Sequence, residues 1–172
     1  TEIYTLSLHD ALPIFKTMAR TMAPMASQKL ALAQAVVPIP IRQWPESLKP
    51  EEWEEGGFKD YYVSQKALWP ELLATRSPWP THVNVLRLGD AVICTNPAEF
   101  YVEHGIAIKD ASPAQVTLIS QLTDGYVGYV PIAEAFPRGG YSTWPAVTSL
   151  LAPEAGGIIV ETTRQLLQQV FD

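Results

Sequence analysis

The stretch that most constrains the fold is Thr81–Thr95, THVNVLRLGDAVICT. Val83, Val85 and Leu86 or Leu88 alternate with polar neighbours, so residues 81–88 read as a strand. Gly89-Asp90 is a turn dipeptide, and residues 91–95 follow as a second strand, which makes the pair a hairpin. The second strand is apolar on both faces. A strand of that kind is central in its sheet. The expectation is therefore an α/β domain, a mixed β-sheet with flanking helices.

The remaining elements are placed around this hairpin. Residues 32–42, LAQAVVPIPIR, read as a strand whose Pro38 and Pro40 confine it to an edge or a bulge. Residues 15–34 carry three Met and several Ala and fit a helix that Pro24 breaks. Trp44–Pro80 is a helical region, interrupted at Gly56-Gly57 and resuming over residues 58–75. The Trp-Pro pairs at 44, 69 and 79 suggest packing against a surface, because buried aromatics usually serve packing. Asn96 is a strong N-cap residue, Pro97 suits the first helical position, and Glu99 falls at N3. This capping-box pattern predicts a helix from Asn96 to about Asp110. Residues 115–122 are another strand. Residues 131–136 are a short helix stopped at Gly139-Gly140, residues 142–151 are irregular, and residues 153–171 are a final helix. Ile159, Thr163, Leu166, Leu167 and Val170 share one face of that helix.

Composition narrows the functional classes. A chain of 172 residues that is 47% hydrophobic has material for one core. The net charge of -6 and the lack of a basic cluster argue against nucleic acid as a partner. No apolar run reaches the roughly 18–20 residues of a transmembrane segment. Cys94 is the single cysteine, and neither CxxC nor HExxH occurs. GxSxG is absent too, so a serine hydrolase is unsupported. Residues 1–14, TEIYTLSLHDALPI, resemble a translated sequencing-adapter read and are set aside as a non-native extension. The expectation that follows is a protein that extends further upstream.

Oxygen-bearing side chains concentrate between Asn96 and Tyr141. Glu99 has an ordinary account as a capping-box glutamate. It also has a functional one, as a carboxylate at the rim of a sheet where ligands bind. Tyr129 and Tyr141 lie twelve residues apart and could simply pack a loop. A phenol is an uncommon metal ligand, because its pKa near 10 must fall substantially before the phenolate forms. His104, five positions after Glu99, would point about 140° away from it on one helix. His82 opens a strand. Asp124 reads as turn chemistry, Glu134 as a solvated helix residue and Arg138 as a surface residue.

The order LRLGDAVICTNPAEF, LTDGYVGYVPIAEAF, RGGYSTW and LAPEAG resembles the C-terminal part of the neutral/alkaline non-lysosomal ceramidase family. The likeness runs from about Gln34 to Phe171 and is sharpest after Val83. It implies that residues 15–172 are a C-terminal fragment of a larger catalytic domain, similar to the short bacterial relatives. It implies a Zn2+ amidase that cleaves the N-acyl bond of ceramide or a related lipid amide. Glu99 and Tyr129 would be metal ligands and Tyr141 the active-site phenol. Two histidine ligands would come from the missing N-terminal part of the protein, so the fragment alone would be inactive. A secreted or periplasmic location fits the same likeness. Ser142 and Asp124 depart from the family pattern, which has Glu and Asn there. In the amidase reading, Trp144 and Trp79 would shape the acyl or sphingoid groove. The alternative is a non-catalytic lipid- or sugar-binding module with aromatic loops.

Overall fold

The computed structural model describes residue 13, residues 16–20 and residues 22–172. The extension at residues 1–14 lies outside the described residues except for Pro13. Four strands form the main sheet in the order β1 (Leu30–Ile39), β2 (Trp79–Leu88), β3 (Ala91–Thr95) and β5 (Val116–Ser120). β1, β2 and β3 run antiparallel, and β5 joins β3 in parallel, so the sheet is mixed. The hairpin and the central position of β3 match the sequence reading. β1 is an edge strand, and its Pro38 pairs with Pro80.

The helices α1 (Gly57–Arg76), α2 (Val102–Ala111) and α3 (Ala155–Phe171) accompany the sheet. α3 lies across β1 and β2, with α2 against it. β1 presents Ala31, Ala33 and Ala35 toward this layer, small residues that let the helix approach. Ile159, Leu166, Leu167 and Val170 fill the space between, against Val83, Val85, Val92 and Cys94. Each such side chain contributes about 1.5–3 kcal/mol by leaving water. Arg87 closes the far end, stacking 3.9 Å over the Phe171 ring and donating to the Val170 carbonyl at 3.0 Å. Burial pushes the Cys94 thiol up to about 12, so it behaves as a small core residue.

The opposite face of the sheet is different. Register places Leu32, Leu86, Ile93 and Leu118 in one row and Leu30, Leu88, Ala91 and Val116 in the next. Leu30, Leu32, Val116 and Leu118 are all more than half exposed. Beside these rows, Gln34 donates to Asn84 Oδ1 at 3.0 Å, and Asn84 donates to Thr95 and to Asp124.

α1 starts at Gly57, as the Gly-Gly break predicted, and it keeps Pro70 inside it. It packs through rings. Trp69 is buried, meets Trp44 edge-on at 5.4 Å and donates to the Arg42 carbonyl at 2.8 Å. Within the region 44–80, a turn of 3-10 helix forms at Pro50–Glu52, ahead of the Gly-Gly break.

The capping-box expectation at Asn96 is wrong. Ala98–Phe100 is strand β4, and α2 begins only at Val102, with Tyr101 as its N-cap. Asn96 Oδ1 accepts from the Ala98 amide at 3.0 Å, a side-chain turn in place of a helix cap. β4 then pairs with a strand that the sequence reading left as loop, β6 (Gly128–Val130). Residues 131–136 shift to a 3-10 segment, Ala133–Arg138, stopped at Gly139.

His104 stacks on Phe100 at 4.6 Å, and its Nε2 is buried without a hydrogen bond. It fits because residue 156 of α3 is glycine: a Cβ there would collide with the imidazole. Gly156→Ala should therefore destabilise the chain by about 1–3 kcal/mol, despite alanine's better helix propensity. His104→Ala in the same chain should recover most of that loss. Denaturant melts of the two single variants and the double variant measure both.

Candidate functional site

The site is built where the chain leaves the main sheet. β3 ends at Thr95, and the Asn96 amide donates to the Ser120 carbonyl at 3.1 Å. The turn at Asn96 and Pro97 sends Ala98–Phe100 into parallel pairing with Gly128–Val130. The register is Ala98 with Gly128, Glu99 with Tyr129, and Phe100 with Val130. Ala98, Phe100, Gly128 and Val130 are buried, so alternation turns Glu99 and Tyr129 together to the other face.

Several contacts hold these three-residue strands. Gln121 borrows the role of a neighbouring strand, accepting from the Phe100 amide at 2.8 Å and donating to its carbonyl at 3.1 Å. On the other side the Tyr129 amide donates to the Thr148 carbonyl at 2.8 Å. That approach requires glycine at 128. Its φ is 73°, and a Cβ would run into the Thr148 backbone.

Tyr126 is another oxygen-bearing side chain of this stretch, one to which the sequence alone assigns no role. Its hydroxyl donates to Glu99 Oε1 at 2.8 Å. Simple alternation would put residues 126 and 129 on opposite faces of a strand. Gly128, at φ 73° between them, breaks the alternation, and both phenols meet Glu99. Desolvation and the Glu99 hydrogen bond push the Tyr126 phenol up to about 12. Polar contact with Glu99 is also the largest cause raising Tyr129. Both phenols keep their protons beside the carboxylate; a bound cation would reverse that preference.

Tyr141 meets Tyr129 edge-on, with ring centroids 5.6 Å apart, and is 54% exposed. Its loop is pinned next door: Tyr101 Oη and Ser142 Oγ are 2.6 Å apart, and Ser149 Oγ donates to the Ser142 carbonyl at 2.8 Å. Ser142 thus anchors the Tyr141 loop. Behind it lies Tyr62, fully buried, with a hydroxyl that has no partner. Trp144 packs on Tyr62, Trp53 and Phe58, whereas Trp79 belongs to a separate cluster with Ile41 and Trp69.

Glu99, Tyr126, Tyr129 and Tyr141 therefore form one cluster. His104 is separate, packed between Phe100 and α3, and His82 is exposed on β2. Asp124 takes a positive φ of 59° and accepts from Asn84 at 2.7 Å, so it does more than shape a turn. Glu134 and Arg138 are exposed. Among the described residues no three His, Cys, Asp or Glu side chains gather in a way that could hold a metal ion. Glu99 and Tyr129 offer two oxygen donors on one face, fewer than the three protein ligands of a catalytic zinc.

No sequence-family model and no curated protein matches this chain. Solved structures do match. One is a ceramidase complexed with C2, at 15% identity and a TM-score of 0.60, over 93% of this chain and 33% of that one. Another is the neutral ceramidase from Pseudomonas aeruginosa, at 16% identity and a TM-score of 0.60, over 93% of this chain and 31% of that one. The fold is thus ceramidase-like, and the chain spans about a third of the length of these structures.

Gly128→Ala combines a left-handed backbone with a backbone clash and should cost about 2–4 kcal/mol, read from denaturant melts. The alkaline limb of stability gives a second test. A phenol raised from 10 to about 12 stabilises the fold fully below pH 10 and loses that contribution as pH climbs through 12. Tyr126→Phe should flatten part of the decline between pH 10 and 12. The rest remains, because Tyr62 is raised to about 12 as well.

Proposed function

We propose that this chain is part of a zinc-dependent amidase that hydrolyses the N-acyl bond of ceramide or a related lipid amide. The observation that carries the reading is the in-register pairing of Glu99 with Tyr129, with the Tyr141 ring beside them. The ceramidase-like fold supports it.

Glu99 and Tyr129 would hold the zinc ion, and two further ligands would come from a part of the protein outside this chain. When bound, zinc supplies a water of lowered pKa and Lewis acidity toward the amide carbonyl. Tyr126 fixes the Glu99 carboxylate through one of its oxygens. Tyr141, exposed beside Tyr129, would donate to the oxygen that gains charge when the amide carbon becomes tetrahedral. A well-aligned donor of this kind is worth about 3–4 kcal/mol.

A non-catalytic lipid- or sugar-binding module is the second reading. It is favoured by Trp53 and Phe58, stacked at 5.6 Å beside Trp144, with Phe58 half exposed on an open cleft of about 410 Å³.

The test is made on the chain extended by its upstream coding sequence, with zinc content and fatty-acid release as readouts. Glu99→Ala and Tyr129→Phe should each lower zinc affinity by at least the roughly 10–100-fold expected from losing an outer partner of a ligand. Tyr141→Phe should keep zinc and lose about 100–1000-fold in kcat. The 172-residue chain alone should be inactive. Amide cleavage by that chain alone, or zinc binding indifferent to both ligand substitutions, would refute the proposal. Lipid or sugar binding without zinc would favour the second reading.

A further inference from the structure

Arg42 follows the edge strand β1, and its backbone is pinned twice. Its amide donates to the Leu150 carbonyl at 3.1 Å, and its carbonyl accepts from Trp69 Nε1 at 2.8 Å. The side chain therefore has a fixed origin. Its guanidinium stacks over the Phe136 ring at 4.7 Å and gives one N–H to the Thr143 carbonyl. Arg42 is half-buried, and among the described residues it has no carboxylate partner. Burial draws its pKa down to about 10, which still leaves it charged at neutral pH. A partly buried guanidinium normally finds an anion, because leaving such a charge uncompensated is costly.

Beside Arg42 is a cleft of about 310 Å³. Arg138 lines it from the 3-10 segment, and it too lacks a carboxylate partner among the described residues. Ser47 lines it, as does Trp144, whose indole Nε1 lies beside Gly139. No acidic side chain lines the cleft. The rest of the wall is apolar, including Leu48 and Pro145. Two cations, of which Arg42 is held in place, a hydroxyl and an indole N–H thus surround one space in a chain whose net charge is -6.

We infer that this cleft binds a dianionic phosphoryl group, as a phosphomonoester carrying an apolar body. Charge selects the dianion: two guanidiniums balance a phosphate monoester, whereas a single carboxylate leaves one of them uncompensated. Guanidinium geometry suits phosphate oxygens, which accept paired N–H bonds. The apolar wall suits an organic substituent more than the bare inorganic ion. The site shares the 139–145 segment with the Tyr141 loop, yet it requires neither zinc nor amide cleavage.

Titration calorimetry of the 172-residue chain at low salt tests this, with phenyl phosphate, inorganic phosphate and acetate as separate ligands. Phenyl phosphate should bind most tightly, inorganic phosphate more weakly, and acetate at least about tenfold more weakly than phosphate. Arg138→Gln should weaken phenyl phosphate about tenfold or more, and Arg42→Gln at least as much. Arg138 is exposed, so its replacement leaves the fold intact and keeps the test valid if Arg42→Gln proves unstable. Tight binding of inorganic phosphate alone would overturn the apolar half of the inference. No phosphate binding, equal binding of acetate, or affinity unchanged in Arg138→Gln would overturn the site itself.

Discussion

β4 and β6 are three residues each, far too short to stay paired on their own ladder. What keeps them together is backbone contact at distances that only glycine permits. Thr148 reaches the Tyr129 amide across Gly128, and Gln121 supplies the missing neighbour on the Phe100 side. Buried Ala98, Phe100 and Val130 then tie the pair into the main core. The meeting of Glu99 with Tyr129 is the outward expression of that inward packing. Any change that lets Thr148 drift also lets the carboxylate and the phenol part.

The main sheet was legible because its signals are local and repeat every two residues. The 81–95 hairpin, the edge character of β1 and the buried face of α3 all follow from such patterns. The pattern failed at Asn96 because the same residues satisfy two structures. Asn, Pro and Glu at 96, 97 and 99 suit a helix start, and Asn96 also suits a turn that feeds a strand. The decision was made by residues 121, 128 and 148, which no local window contains. Tyr126 had no role legible in the sequence for a related reason: the positive-φ Gly128 resets the alternation that assigns residues 126 and 129 to faces. α1 was hard to read because its partners are rings, which reach further than aliphatic spacing suggests.

The loop that carries Tyr141 is tied down from three directions. Tyr101 and Ser149 meet Ser142, and Arg42 meets the Thr143 carbonyl. The serine that departs from the family pattern is therefore part of what positions the phenol. Arg42 connects that loop to β1, so the edge of the sheet and the tyrosine cluster share one rigid frame. The buried Tyr62 hydroxyl behind Tyr141 finds no partner among the described residues, and neither does the Thr148 hydroxyl.

The uncovered rows of leucine, isoleucine and valine across the main sheet have a consequence for handling the molecule. Water is a poor neighbour for a contiguous apolar surface of this kind. Whatever comes to rest there, whether another segment, another copy or a detergent, lowers the free energy of the folded chain. Its apparent robustness then depends on protein concentration and on additives, as it does for any state that gains by association.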